Sequence, residues 1–179
     1  MIGIYMQTLV ITFISNDRPG LVEQLSRIIQ AHGGNWLESQ MAQLSGKFTG
    51  IIEINLPTDQ SFKLTQTLQA LSTEGISVLI EAVNGNQPSQ QHASGKVSIL
   101  GLDRPGIVNE ISTALAVQSI NVESFHSFVE AAAMSGEPLF KAELKISIPA
   151  QANIEELGDK LEFIAQQLDI DCLLNISDQ

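Results

Sequence analysis

Apolar residues recur along the 179-residue chain in two rhythms, one of period two and one of period 3.6, and the same series of rhythms occurs twice. Residues 9–14, Leu-Val-Ile-Thr-Phe-Ile, form a short β-branched run that predicts a strand. Leu21, Val22, Leu25, Ile28 and Ile29 then fall on one face of a helix. His32-Gly33-Gly34 ends that pattern with glycines suited to a left-handed helix cap. Residues 35–45, with Trp36, Met41 and Leu44, and residues 48–56, with Phe48, Gly50, Ile52, Ile54 and Leu56 on one face, predict a hairpin that turns at Gly46. Pro57-Thr58-Asp59 breaks the strand, and Leu64, Leu68 and Leu71 mark a helix over 61–73. A last strand over 76–80 follows Gly75.

The second half keeps this order. Residues 97–100 predict a strand, Ile107, Val108, Ile111 and Leu115 a helical stripe, 120–129 a strand and 134–138 a turn. Phe140, Ala142, Leu144, Ile146 and Ile148 alternate with Lys141, Glu143, Lys145 and Ser147 until Pro149 stops the run. Ile154, Leu157, Leu161, Ile164 and Leu168 form the stripe of the last helix, and 169–176 returns as a strand. Residues 84–95, made of Asn, Gly, Gln, Pro, Ser, His and Ala, have no apolar period and read as a linker. The expected organisation is therefore a domain over 1–83, a linker over 84–94 and a second domain over 95–179. A βαββαβ unit places both helices on one face of a four-stranded antiparallel sheet, through right-handed split βαβ crossovers. The fold class expected is α+β, two ferredoxin-like domains, each with one sheet face and its edge strands left for solvent, the sister domain or another chain.

Where first strand passes to first helix the halves share a hexapeptide. Asp17-Arg18-Pro19-Gly20-Leu21-Val22 returns 86 positions later as Asp103-Arg104-Pro105-Gly106-Ile107-Val108. Pro19 and Pro105 are expected at N1, where a fixed φ and a missing N–H cost nothing. Gly20 and Gly106 then leave the backbone uncovered. Each half thus presents a bare helix N-terminus with free N–H groups and a positive dipole end, a place for a small anion such as a carboxylate. Asp17 and Asp103 suit a helix cap, and Asn35 and Asn121 suit a left-handed turn position.

Composition removes several classes of function. Nine Lys and Arg face twenty Asp and Glu, a net charge of −11 with no basic cluster. Phosphate backbones are repelled by such a chain, so direct nucleic-acid binding is not expected, and a role in transcription has to pass through another protein or a small molecule. Hydrophobic residues make up 44% of the chain, yet no apolar run approaches the ~18 residues of a membrane span. The start lacks the features of a secretory signal, so a cytoplasmic location is expected. Halves of this size bury a modest share of their surface, which favours a homodimer or higher homo-oligomer. Cys172 lies in the run 170–174 and reads as a buried strand thiol. His32, His92 and His126 have no partner at metal-ligand spacing, so no metal is expected. Glu38 and Glu123 occupy similar places on the second strands and read as exposed carboxylates rather than an acid–base pair. Trp36 and Phe125 read as packing residues. No phosphate-cradling loop or nucleophile elbow is present, so neither a catalytic residue nor a cofactor is expected.

The pattern of strand, Asp-Arg-Pro-Gly, helix, then Gly-Gly-Asn or Ile-Asn and strand, resembles the ACT domain family of amino-acid-sensing modules, and both halves match it. Within that family the tandem arrangement without an attached enzyme, Ser39 and Met41 after Glu38, and Ser135-Gly136-Glu137-Pro138-Leu139-Phe140 make the chain similar to the glycine cleavage system transcriptional repressor group. The resemblance implies an effector site at the loop between first strand and first helix, completed by a neighbouring ACT unit. By motif that site comprises Asp17, Arg18, Pro19, Gly20 and Asn35 in one half and Asp103, Arg104, Pro105, Gly106 and Asn121 in the other. The implied effector is a small amino acid, glycine or serine, and the implied protein partner a transcription factor. A ligand-independent interaction module is the alternative.

Overall fold

A computed structural model describes residues 5–83, 92–133 and 135–177, and the chain divides into two compact units, Met1–Gln87 and Pro88–Gln179. In the first, β1 (Met6–Asn16), α1 (Leu21–Ala31), β2 (Asn35–Leu44), β3 (Lys47–Pro57), α2 (Ser61–Ala70) and β4 (Ser77–Ala82) follow in order, with 3-10 turns over Thr58–Gln60 and Leu71–Glu74. The sheet order is β2-β3-β1-β4, antiparallel throughout. Leu9, Ile11 and Phe13 of β1 and Ile52, Ile54 and Leu56 of β3 point to one face. There they meet Leu21, Leu25 and Ile29 of α1 and Leu64 and Leu68 of α2 in a single buried core.

The second unit contains β5 (Ala93–Leu102), α3 (Ile107–Val117), β6 (Asn121–Ala131), β7 (Pro138–Ile148), α4 (Ile154–Leu168) and β8 (Ile170–Ser177), in sheet order β6-β7-β5-β8. Val97 and Ile99 of β5 and Phe140, Ala142, Leu144 and Ile146 of β7 form its core with Ile107, Ile111, Leu115, Leu157, Leu161 and Ile164. Both units are ferredoxin-like βαββαβ folds, as the alternation of periods requires.

Several boundaries differ from the sequence expectation. Residues 84–91 of the expected linker lie outside the described residues, while β5 already begins at Ala93, ahead of the apolar run that marked it. Hydrogen bonding carries the strand there: Ala93 and Ser94 lie opposite Ile148 and Ser147 of β7. The helix expected over 61–73 is α-helical only to Ala70, and its last turn tightens to 3-10 before Gly75 takes φ 80°. Met134, in the expected 134–138 turn, lies outside the described residues, and Pro138 already belongs to β7. Glu38 and Glu123 are not equivalent. Both β2 and β6 carry an irregularity in pairing; Leu37 and Glu123 are the skipped residues, so Glu38 corresponds to Ser124.

The ends of α1 and α3 show how strictly the repeat is kept. Gly34 N–H donates to Ile29 O and Gly33 N–H to Gln30 O, a Schellman pair with Gly33 at φ 72°. In α3 Ile120 N–H donates to Leu115 O and Ser119 N–H to Ala116 O, but Ser119 holds the left-handed position at φ 55°. A Cβ is strained there. Ser119→Gly is expected to stabilise the second unit by about 0.5–1 kcal/mol, the strain relieved less the backbone entropy added to the unfolded chain. A rise in the urea midpoint at unchanged slope is the check, and a fall would contradict the strain argument.

Candidate functional site

In each unit the loop after the first strand is tied to the end of the neighbouring hairpin. Asp17 N–H donates to Gly46 O at 2.9 Å, and Asp103 N–H to Pro138 O at 2.8 Å. The chain then turns through Gly20 at φ 87° and Gly106 at φ 106°, each the residue that precedes its helix. Pro19 and Pro105 therefore lie one residue before the N-cap, not at N1. The left-handed glycine delays the helix, whose first backbone bonds are Gln24 N–H to Gly20 O and Glu110 N–H to Gly106 O, both 2.9 Å.

No side chain caps either helix. Neither Asp17 nor Asp103 makes the capping bond that is the ordinary structural use of an aspartate at this place, and the early N–H groups have no partner within the helix. A Cβ built on Gly20 or Gly106 meets nothing within 4 Å, so these glycines serve the positive φ and face open space. All of Asp17, Arg18, Pro19 and Gly20, and of Asp103, Arg104, Pro105 and Gly106, are exposed.

The second loop opens on a cavity of about 510 Å³ whose lining includes Asp103, Arg104, Gly106, Asn109, Ser112 and Phe140. Asn109 and Ser112 were not singled out from sequence. Their signal was available, since they stand three and six residues beyond Gly106 on the helix face that rises from the loop. The arginines are engaged within their own units. Arg18 Nη2 donates to Gln24 Oε1 at 2.7 Å, and Gln24 Nε2 to Glu74 Oε2 at 2.8 Å. Arg104 Nη2 lies 3.6 Å from Asp169 Oδ2 in an exposed ion pair.

Asn35 and Asn121 stand elsewhere. Asn35 opens β2 opposite Asn55, which lies opposite Thr8 near the beginning of β1. Asn121 opens β6 opposite Ser147, which lies opposite Ser94 near the beginning of β5. Neither asparagine has positive φ, so neither is a left-handed turn residue. From Thr8 to Asn16 is eight strand residues, or ~27 Å at ~3.4 Å each. Within a unit the fold thus holds the aspartate loop and the asparagine at opposite ends of the sheet, too far apart for one small molecule. The two asparagine ends differ in detail. Asn55 Oδ1 is buried without a hydrogen-bond partner, whereas the Ser147 hydroxyl lies 2.7 Å from His92 Nδ1.

The remaining titratable groups serve packing and surface. His32 bridges helices, with Nδ1 2.9 Å from Ile28 O and Nε2 3.3 Å from Thr67 Oγ1. The His126 ring lies 5.8 Å from that of Phe128 on the open sheet face. On that face the Lys96 ammonium, 2.9 Å from the Glu143 carboxylate, holds it below the usual carboxylate range. Burial pushes the Cys172 thiol up to about 11. Trp36 packs against the first core, while Phe125 is 40% exposed. Among the described residues no group of three His, Cys, Asp or Glu is placed to hold a metal ion, and no helix is long and apolar enough to cross a membrane.

Residues 7–79 match the family model of the ACT domain. The chain is thus similar to an ACT domain over this span, and its second unit repeats the topology of the first. It is similar to the glycine cleavage system transcriptional repressor of Escherichia coli (strain K12), 20% identical over 169 residues, which are 94% of this chain and 89% of that one. Two crystal structures share the fold over 97% of this chain. One is an unknown protein from Galdieria sulphuraria, TM-score 0.84 at 22% identity and wholly covered; the other is a candidate glycine cleavage system transcriptional repressor, TM-score 0.69 at 19% identity and 99% covered.

Proposed function

We propose that this chain is a non-catalytic, cytoplasmic regulator of glycine cleavage or related amino-acid metabolism. It binds a small amino acid, glycine or serine, and acts on transcription through a protein partner. The observation that carries the reading is the pair of uncapped helix N-termini. Each has a left-handed glycine, free N–H groups and an aspartate unused in capping. In this reading the N–H groups after Gly20 or Gly106 donate to the ligand's carboxylate, and the Asp17 or Asp103 carboxylate accepts from its ammonium. Asn35 or Asn121 contributes from a neighbouring unit, because its own unit holds it ~27 Å from the loop. A homo-oligomer in which one unit's loop meets another's second strand satisfies both. The likeness to the Escherichia coli repressor supports the regulatory role, and the net charge of −11 favours a protein partner over DNA. Regulation follows where the amino acid binds one arrangement of units better than another.

A thermal-shift screen of the purified chain against each standard amino acid, followed by calorimetry of any hit, tests the reading. Ligand at about a hundred times its Kd is expected to stabilise the protein by roughly 2.7 kcal/mol. The double variant Asp17→Ala, Asp103→Ala is expected to lose most of that shift, and Asn35→Ala with Asn121→Ala to weaken it. Silence towards every amino acid favours an interaction module that works without a ligand. A shift undiminished in the aspartate variant removes those carboxylates from the site.

A further inference from the structure

A concavity of about 880 Å³ in the second unit lies between α4 and β8. Its floor is apolar: Ile154, Leu161, Ala165, Ile170, Cys172 and Leu174 line it. Cys172 stays a neutral thiol at neutral pH. Its rim is acidic, with Glu155, Asp159 and Glu162 spaced about one helical turn apart along α4, and no Lys, Arg or His among the lining residues. Beside the groove runs an open edge. β8 pairs with β5 alone among the described strands, so its outer N–H and C=O groups have no strand partner, and Leu173 on it is 64% exposed.

Three features of α4 work against the isolated helix, and all fall on this one stripe. Glu155 and Asp159 are like charges at i,i+4, and Asp159 and Glu162 are like charges at i,i+3. Gly158, between them in the helix interior, weakens the helix relative to alanine, yet a Cβ there would meet nothing within 4 Å. Internal packing therefore gives no reason for the glycine. Glu155 suits the first turn of α4, but the fold gives no such reason for Asp159 and Glu162, since α2, the equivalent helix of the first unit, carries Lys63 and no acidic residue over Ser61–Ala70. A local sequence that disagrees with its own helix marks a surface shaped for something outside it.

We propose that the α4–β8 groove is the docking site for a cationic, extended segment of a partner polypeptide, which adds a strand to β8, lays apolar side chains on the floor and sets Lys or Arg against the acidic stripe. A second copy of this chain set groove against groove is the wrong occupant, because the two acidic rims repel. The inference rests on the reading that the chain acts through a protein partner. It is independent of the amino-acid site, so an absent thermal shift leaves it untouched.

The test uses the full chain, no amino acid, and a fluorescent peptide of about twelve residues with the repeat Val-Thr-Lys-Thr, which sets valine and lysine on one face of a strand, in about 150 mM salt to screen long-range attraction. Saturable binding is expected, with slowed amide exchange confined to 170–177 and its neighbours, and none with the same peptide carrying glutamate in place of lysine. Asp159→Lys with Glu162→Lys is expected to weaken binding about tenfold or more, and Gly158→Ala to weaken it severalfold while raising the melting temperature. The charge-matched pair Glu38→Lys, Glu53→Lys, in the first unit, is expected to change it less than about twofold. Absence of binding, equal loss in both lysine pairs, exchange unchanged at β8, or a homodimer that dissolves in the Asp159→Lys, Glu162→Lys variant would each overturn the proposal.

Discussion

Gly101→Ala is expected to destabilise the second unit by about 3 kcal/mol, the upper end of what an added methyl does in a packed interior. Gly101 lies in β5, opposite Phe140 on one side and Ile170 on the other. A Cβ there falls 2.4 Å from Ile170 Cγ2, 2.8 Å from its Cβ and 2.9 Å from its Cα. The last of these decides the size of the effect. A side-chain tip can rotate away, but a backbone atom moves only if β8 moves, and Ile170 is the first residue of that strand. For a unit of this size each kcal/mol lowers the melting temperature by roughly 4–8 °C, so a loss well above 10 °C in the far-ultraviolet circular dichroism melt is the expected reading. A shift of only a degree or two would mean that β5 and β8 separate locally without effort. The same displacement reaches the proposed effector loop, because Asp103 follows two residues later and Arg104 pairs with Asp169, the residue before Ile170.

Leu25→Ala acts on the first unit by the opposite route, a vacancy instead of a clash. Leu25 is completely buried on the inward stripe of α1. The loss combines the transfer free energy of the removed methyl groups with the contacts missing around the cavity, together about 2–5 kcal/mol. Total stability of a small domain is of the order of 5–15 kcal/mol, so this single change removes a large part of it. Trp36 is the chain's one tryptophan and packs against this core, so its fluorescence reads the unfolding of the first unit directly. A urea midpoint for Trp36 that moves down by about 1–2 M, at slopes of about 1–3 kcal/mol per M, is expected. An unmoved midpoint would show that α1 does not secure the first core.

Much of this was legible in the sequence, because much of it is periodic. The stripe Leu21, Leu25, Ile29 and the alternation Ile52, Ile54, Leu56 each state which side of an element is buried, and a helix and strand so patterned have few ways to pack. The repeated Asp-Arg-Pro-Gly located both loops because loop chemistry is local. What escaped has no period. The bulges at Leu37 and Glu123 come from strand pairing. That Glu38 corresponds to Ser124 and not to Glu123 was already legible in the 86-residue offset of the two hexapeptides. The place of Pro19 and Pro105 depended on a backbone angle of the following glycine that composition permits but does not impose. β5 extends back to Ala93 because β7 offers partners there, not because Ala93 and Ser94 favour a strand.

Sequence by itself determined the duplication, the order βαββαβ in each half, the inward faces and the place of the two Asp-Arg-Pro-Gly loops, since each depends on residues close together in the chain. Tertiary structure alone decided distances between parts far apart in the chain. It set the aspartate loops and Asn35 or Asn121 at opposite ends of each sheet, and it brought the acidic stripe of α4 alongside the open edge of β8. Both follow from strand register and helix packing, which depend on pairing between segments and are written in no single segment.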